Sequence, residues 1–151
     1  MTGERSDLEP ALTDLIDRLD HFSIAVRDIA ATESLVALMG GTPYESGLSH
    51  GGDFYWAQYL LAEGKLELIA AVDQTDESHF INVFTATRGE GLHHITFKVT
   101  DIRAAADRAT ALGFSVVGFD DSQTGWKEAF VHPKSAHGVL IQLAEFADSS
   151  T

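Results

Sequence analysis

The chain has 151 residues, 44% of them apolar, which suffices for the core of one domain or of two very small ones. Ten Lys and Arg stand against 23 Asp and Glu, a formal charge of −13, and a field of that sign opposes nucleic acid and anionic membrane as partners. There is no cysteine, so no disulfide or thiol chemistry, and no run approaches the ~20 apolar residues of a membrane span; the expectation is a soluble, cytoplasmic protein.

Residues 1–18 read as an acidic N-terminal extension without an apolar signal core. Within it the spacing predicts a short helix over 9–17, with Pro10 near the first turn and Leu12, Leu15 and Ile16 to one side. "HFSIAV" (21–26) then alternates as a half-buried strand does, with Phe22, Ile24 and Val26 on one face and His21, Ser23 and Ala25 on the other. Asp28 stands at a helix N-cap, an Ala-rich segment follows, and Gly40 ends it. Strands are expected near 42–46, 53–61 and 65–71, with Tyr55, Trp56 and Tyr59 as core or cleft wall. "GLSHGG" (47–52) suits either a loop over a cleft or a plain hairpin connection. "DESHFINVFTATRGEG" predicts a short helix closed by a glycine turn, within a linker over 75–91.

The pattern then starts again. "HITFKV" (94–99) sets Ile95, Phe97 and Val99 against His94, Thr96 and Lys98; Asp101 caps the next Ala-rich helix, and Gly113 ends it. Strands follow near 114–118, 127–131 and 138–144. His21 and His94 are 73 residues apart, as are Val26 and Val99, Asp28 and Asp101, and Gly40 and Gly113. A duplicated β-α-β-β-β module explains this, with copies at 19–74 and 92–147 and an α+β fold of paired modules.

The last strand of each module carries one polar residue between apolar ones: Glu67 between Leu66 and Leu68, and Gln142 between Ile141 and Leu143. Each module thus offers a His from its first strand and a Glu or Gln from its last. Converging, His21, Glu67, His94 and Gln142 suit one divalent ion of the Zn, Co, Ni, Mn or Fe type, with two positions left on a six-coordinate centre. A single strand histidine is more often structural; recurrence of the pair in both halves carries the assignment.

The segments "LDHFSIAVRDI", "RGEGLHHITFKVTDI" and "HPKSAHGVLIQL" resemble the vicinal oxygen chelate (glyoxalase/bleomycin resistance/dioxygenase) superfamily, most closely its methylmalonyl-CoA epimerases. The resemblance covers residues 19 to about 145, and the domain it implies runs over 19–147. It implies paired modules forming a metal-containing cleft, a small substrate such as an acyl-CoA or oxoacid, a homodimer, and loss of a proton beside a carbonyl through a metal-stabilised enolate. His21 and His94 match the family's histidine ligands. Glu67 falls where epimerases typically carry glutamine, and Gln142 where they carry a glutamate that is both ligand and acid/base. Gln58 aligns with the second base; Glu67, the one carboxylate of the set, and Gln58 are the candidate catalytic residues.

A glutamine amide takes no proton at neutral pH, so an isomerase or lyase with little true epimerase activity is expected. Glu128 and Asp53 are further candidate proton acceptors. Trp126 is a candidate to narrow the substrate cleft, or a packing residue. Lys134 is a candidate for a substrate phosphate or carboxylate, or a solvated turn lysine. Alternation sends His93 away from His94, toward a core or interface role. Two rival functions stay open: a non-haem Fe(II) dioxygenase using His21, His94 and Glu67 as a facial triad, and a small-molecule binding or resistance protein.

Overall fold

The computed structural model describes residues 11–148. The chain runs β1 (Ile16–Ala25), a 3-10 turn (Ile29–Thr32), α1 (Glu33–Leu38), β2 (Thr42–Leu48), β3 (Phe54–Leu60) and β4 (Lys65–Ala71). It continues through α2 (Phe80–Arg88), β5 (Gly91–Val99), α3 (Ile102–Ala111), β6 (Val116–Asp120), β7 (Lys127–Val131), a 3-10 turn (Pro133–Ser135) and β8 (Ile141–Glu145). The fold is α+β, as the sequence predicts, with eight strands bonded in the order β2-β3-β4-β1-β5-β8-β7-β6. Among the described residues, 21–94 make one compact unit and 11–20 together with 95–148 make the other, so β1 and β5 each contribute to both.

The unit of residues 21–94 pairs β1 with β4 in parallel and β4 with β3 and β3 with β2 antiparallel. A parallel pair needs a crossover, and the 3-10 turn, α1 and the β2–β3 hairpin supply it. Asp28 caps the turn by accepting from Ala30 N at 3.0 Å. Gly40, at φ 71°, takes the left-handed conformation that stops α1. One sheet face buries Val26, Leu66, Leu68 and Ala70 with Val36 of α1. The other buries Ala25, Ile69 and Ala71 with Ile81 of α2, flanked by Phe54, Trp56 and Phe84.

The second unit repeats the scheme. β5 and β8 are parallel, β7 lies antiparallel to β8, and β6 to β7. Asp101 caps α3 through Ala104 N at 3.0 Å. Its core joins Leu15, Val99, Ala129 and Leu143 to Ile102, Ala105 and Ala106 of α3.

The helix expected over 9–17 does not form. No helix occupies the described part of residues 9–17; residues 9 and 10 lie outside the described residues. Leu12 closes a single turn, its carbonyl accepting from Leu15 N and Ile16 N. β1 then begins at Ile16, inside the segment read as an extension. The charges in "DRLD" hid the strand. Arg18 pairs with Asp20 at 2.8 Å and with Asp148 at 2.6 Å, and Asp20 is buried. Among the described residues no helix is long and apolar enough to cross a membrane.

Candidate metal centre

Strand register builds the site. In the parallel β1–β4 pair Ser23 lies opposite Glu67, and in the antiparallel β3–β4 pair Gln58 lies opposite Glu67. Leu66 and Leu68 point into the core beside α1, so Glu67 takes the other face. Three strands therefore present Ser23, Glu67 and Gln58 in one row. Ser23 Oγ donates to Glu67 Oε1 at 2.6 Å, and Gln58 Nε2 donates to Glu67 Oε2 at 2.9 Å. Both carboxylate oxygens are thereby oriented.

Two imidazoles face this carboxylate. His21 Nε2 is 3.6 Å and His94 Nε2 3.9 Å from Glu67 Oε1. Both histidines are buried. Burial works to raise the Glu67 pKa, but the bonds and charges of His21, the Ser23 hydroxyl and the charge of His94 outweigh it and hold it at about 2. One ligand atom from each of His21, Glu67 and His94 lies within 4.8 Å of the others. Ligands bonded at ~2.0–2.2 Å around a tetrahedral centre sit roughly 3.4 Å apart. Two imidazoles, which ligate once they give up their added proton, and an ionised carboxylate at these spacings fit a borderline divalent ion in both chemistry and reach.

His93 was expected to face away from His94, and its ring does pack between Phe84, at 5.0 Å centroid distance, and Phe80, at 5.6 Å. Yet its Nδ1 lies 2.8 Å from His94 Nδ1. Burial first, then the charge of Arg88, push the His93 pKa down against the opposing pull of Glu67, which favours a neutral ring. The sequence held no sign of this contact, because alternation alone separates neighbours on a strand.

The second unit carries a related row. Thr96 lies opposite Gln142, and Thr96 Oγ1 donates to Gln142 Oε1 at 2.6 Å. Gln142 Nε2 donates to Glu128 Oε1 at 3.0 Å, and Trp126 Nε1 donates to the same oxygen at 2.8 Å. The Trp126 ring stacks on Phe146 at 4.8 Å. Ser23 and Thr96 went unnoticed as partners, although each lies two residues beyond a candidate histidine on the same strand face. That spacing was the available signal.

The remaining candidates find other surroundings. Lys134 is exposed in the Pro133–Ser135 turn, whose His132 caps it by accepting from Lys134 N at 3.1 Å. Asp53 accepts from Ser49 Oγ at 2.7 Å and lies 2.8 Å from His79 Nε2, so it braces a hairpin connection against the start of α2. Trp56 and Tyr59 are half-buried core residues, whereas Tyr55 is exposed.

The model of the Glyoxalase/Bleomycin resistance protein/Dioxygenase superfamily matches residues 20–130. The ethylmalonyl-CoA/methylmalonyl-CoA epimerase of Cereibacter sphaeroides is 29% identical over 138 residues, 87% of this chain and 99% of that protein. The crystal structure of methylmalonyl-CoA epimerase from Mycobacterium tuberculosis superposes with a TM-score of 0.77 at 28% identity, covering 94% of this chain and 96% of that one. A variant of the Streptomyces coelicolor methylmalonyl-CoA epimerase, in complex with 2-nitronate-propionyl-CoA, gives 0.76 at 27% identity, covering 88% and 99%.

Proposed function

Because the chain belongs to the Glyoxalase/Bleomycin resistance protein/Dioxygenase superfamily, we propose that it is a metal-dependent, methylmalonyl-CoA epimerase-like enzyme, an isomerase or lyase that moves the proton next to the carbonyl of an acyl-CoA. The convergence of His21, Glu67 and His94 carries the reading. Gln142 is the fourth ligand in this proposal, supported by the hydroxyl-to-oxygen bond it shares in kind with Glu67. The acyl-CoA assignment draws on the epimerase relatives, one of them solved with a propionyl-CoA analogue. When bound, a divalent ion supplies a Lewis acid for the negative charge that develops on the substrate oxygen.

The protein's own groups set what else happens. Gln58 orients Glu67 by donating to it and takes no proton itself. Glu67 and Asp53 each have both oxygens engaged. Among the described residues Glu128 receives Gln142 and Trp126 on the same oxygen, Oε1, which keeps Oε2 for a proton. We assign proton transfer to Glu128 on this ground. With one such group, exchange on one face of the α-carbon outpaces inversion. Trp126, bonded to that carboxylate, is the substrate-side wall of this proposal; Lys134 is proposed to meet a substrate phosphate or carboxylate.

The test is metal analysis joined to α-proton exchange of methylmalonyl-CoA and ethylmalonyl-CoA in deuterium oxide. About one divalent ion per chain is expected, with exchange faster than epimerisation. His21→Ala should lose both metal and exchange; full exchange in that variant would overturn the reading. Two histidines and one carboxylate also make a facial triad, which favours the dioxygenase as the second reading. Anaerobic loading with Fe(II), followed by oxygen uptake on candidate substrates, separates the two.

A further inference from the structure

We propose that His93 is a positioning residue for the metal centre: its Nδ1 accepts the Nδ1 proton of His94 and so keeps His94 Nε2 open to a metal ion. The inference rests on the metal-centre reading above and adds a residue to it. The two Nδ1 atoms are 2.8 Å apart. At that distance two N–H groups would collide and two lone pairs would repel, so one nitrogen donates and the other accepts. A neutral imidazole that ligates through Nε2 carries its proton on Nδ1. His94 Nε2 is the atom turned toward Glu67, 3.9 Å from Oε1. His94 is therefore the donor and His93 the acceptor, with the His93 proton on its own Nε2.

Ligating histidines usually hand their second N–H to a carboxylate, a backbone carbonyl or water. An imidazole takes that place here, and packing holds it. The His93 ring lies at 68° to Phe84 and at 56° to Phe80, so two side chains of α2 fix its plane. The His93 and His94 rings meet at 84°, which lets one Nδ1–H point along the plane of the other ring. A phenylalanine at 93 would fill the same aromatic pocket; only the acceptor nitrogen would be lost.

Two variants and one spectrum test this. Chelator-treated protein is titrated with Co(II), followed by its d–d absorption, and with Zn(II) by calorimetry. His93→Phe should weaken both metals by roughly 10–100-fold, the usual cost of losing an outer partner, with circular dichroism unchanged. His93→Gln, which restores an acceptor oxygen, should recover most of the affinity and the wild-type Co(II) spectrum. In Zn(II)-loaded wild type with ¹⁵N-histidine, His94 should carry its proton on Nδ1 and His93 on Nε2. Wild-type affinity and spectrum in a folded His93→Phe overturn the inference. So does a proton on His93 Nδ1, which decides the matter even where His93→Phe does not fold. A folded wild type that binds neither metal overturns the metal-centre reading itself, and this inference with it.

Discussion

The Ser23–Glu67–Gln58 row and the Thr96–Gln142–Glu128 row are built alike and charged differently. In each, a hydroxyl on the first strand of a module donates at 2.6 Å to Oε1 of a side chain on the last strand. In each, that last-strand residue bonds to a side chain on the strand beside it. In the first row the carboxylate sits on the last strand and the amide beside it; in the second the amide sits on the last strand and the carboxylate beside it. The order matters because a carboxylate only accepts, whereas an amide accepts at one end and donates at the other. Glu67 receives a donor on each oxygen and is left as an oriented anion facing two imidazoles. Gln142 receives Thr96 on its oxygen and turns its N–H toward Glu128, so its own charge is zero and the titratable group lies one strand away. The two rows share a hydrogen-bonding plan and carry different electrostatic duties.

The largest effect expected from that difference is on metal binding. If Glu67 is the anionic ligand and Gln142 a neutral one, Glu67→Gln should weaken Zn(II) or Co(II) by more than about 100-fold, beyond the roughly 10–100-fold of an outer-partner loss. Gln142→Ala should cost about tenfold. Competition titrations against a chromogenic chelator give both numbers. The reverse order would mean that charge does not distinguish the two rows as the geometry indicates.

A second difference should appear in acid. The Glu67 pKa is held at about 2, against 4.5 for a free glutamate. A depressed folded-state pKa contributes stability that is fully present above the unfolded value and is lost as pH falls through the folded one. Metal-free protein should therefore lose stability between about pH 4.5 and pH 2, on the order of 3 kcal/mol from this group at about 1.4 kcal/mol per unit. Urea titrations at stepped pH should show the slope flattened in Glu67→Gln and unchanged in Gln142→Ala. Equal slopes in all three proteins would assign the acid sensitivity to other carboxylates.

How far these rows could be read from the sequence follows from what each feature depends on. Period-two alternation is local, so the faces of "HFSIAV" and "HITFKV", and the opposition of Glu67 to its flanking leucines, were legible. So were Asp28, Gly40, Asp101 and Gly113 as the bounds of the helical segments. The start of β1 was not, because Arg18 and Asp20 look solvated in sequence and are paired in the fold with Asp148, far along the chain. The partners of the last-strand residues depend on strand register, which tertiary pairing sets. Gln58 lies directly opposite Glu67, but Phe130 lies opposite Gln142, and Glu128 reaches it from two residues away. No fixed spacing links the two carboxamide–carboxylate pairs, so an offset of 73 residues could not reveal the second. Read from alignment alone, Gln58 stood for a lost base; in the structure it is the donor that orients Glu67.

The smallest net effect is the most discriminating. Gln142→Glu alone would put a second carboxylate against Glu128, where Gln142 Nε2 now donates at 3.0 Å. Like charges at that range do not both stay ionised near neutrality. The single variant should lose about 1–3 kcal/mol at pH 7, the usual cost of replacing a satisfied polar pair with an unsatisfied one. It should recover as the pH drops and one carboxyl protonates. Gln142→Glu combined with Glu128→Gln exchanges the two roles and rebuilds the order of the first row: hydroxyl to carboxylate on the last strand, amide beside it. That double variant should return to within about 1 kcal/mol of wild type, a coupling of about 1–3 kcal/mol, inside the range for residues in direct contact. Denaturant unfolding of the four proteins in the cycle gives the coupling directly. Should the double variant be no more stable than Gln142→Glu, the Gln142–Glu128 bond is incidental and the likeness of the two rows ends at Thr96. In the same four proteins, α-proton exchange should fall in the double variant, because the last-strand carboxylate would then have a donor on each oxygen, as Glu67 has in the first row.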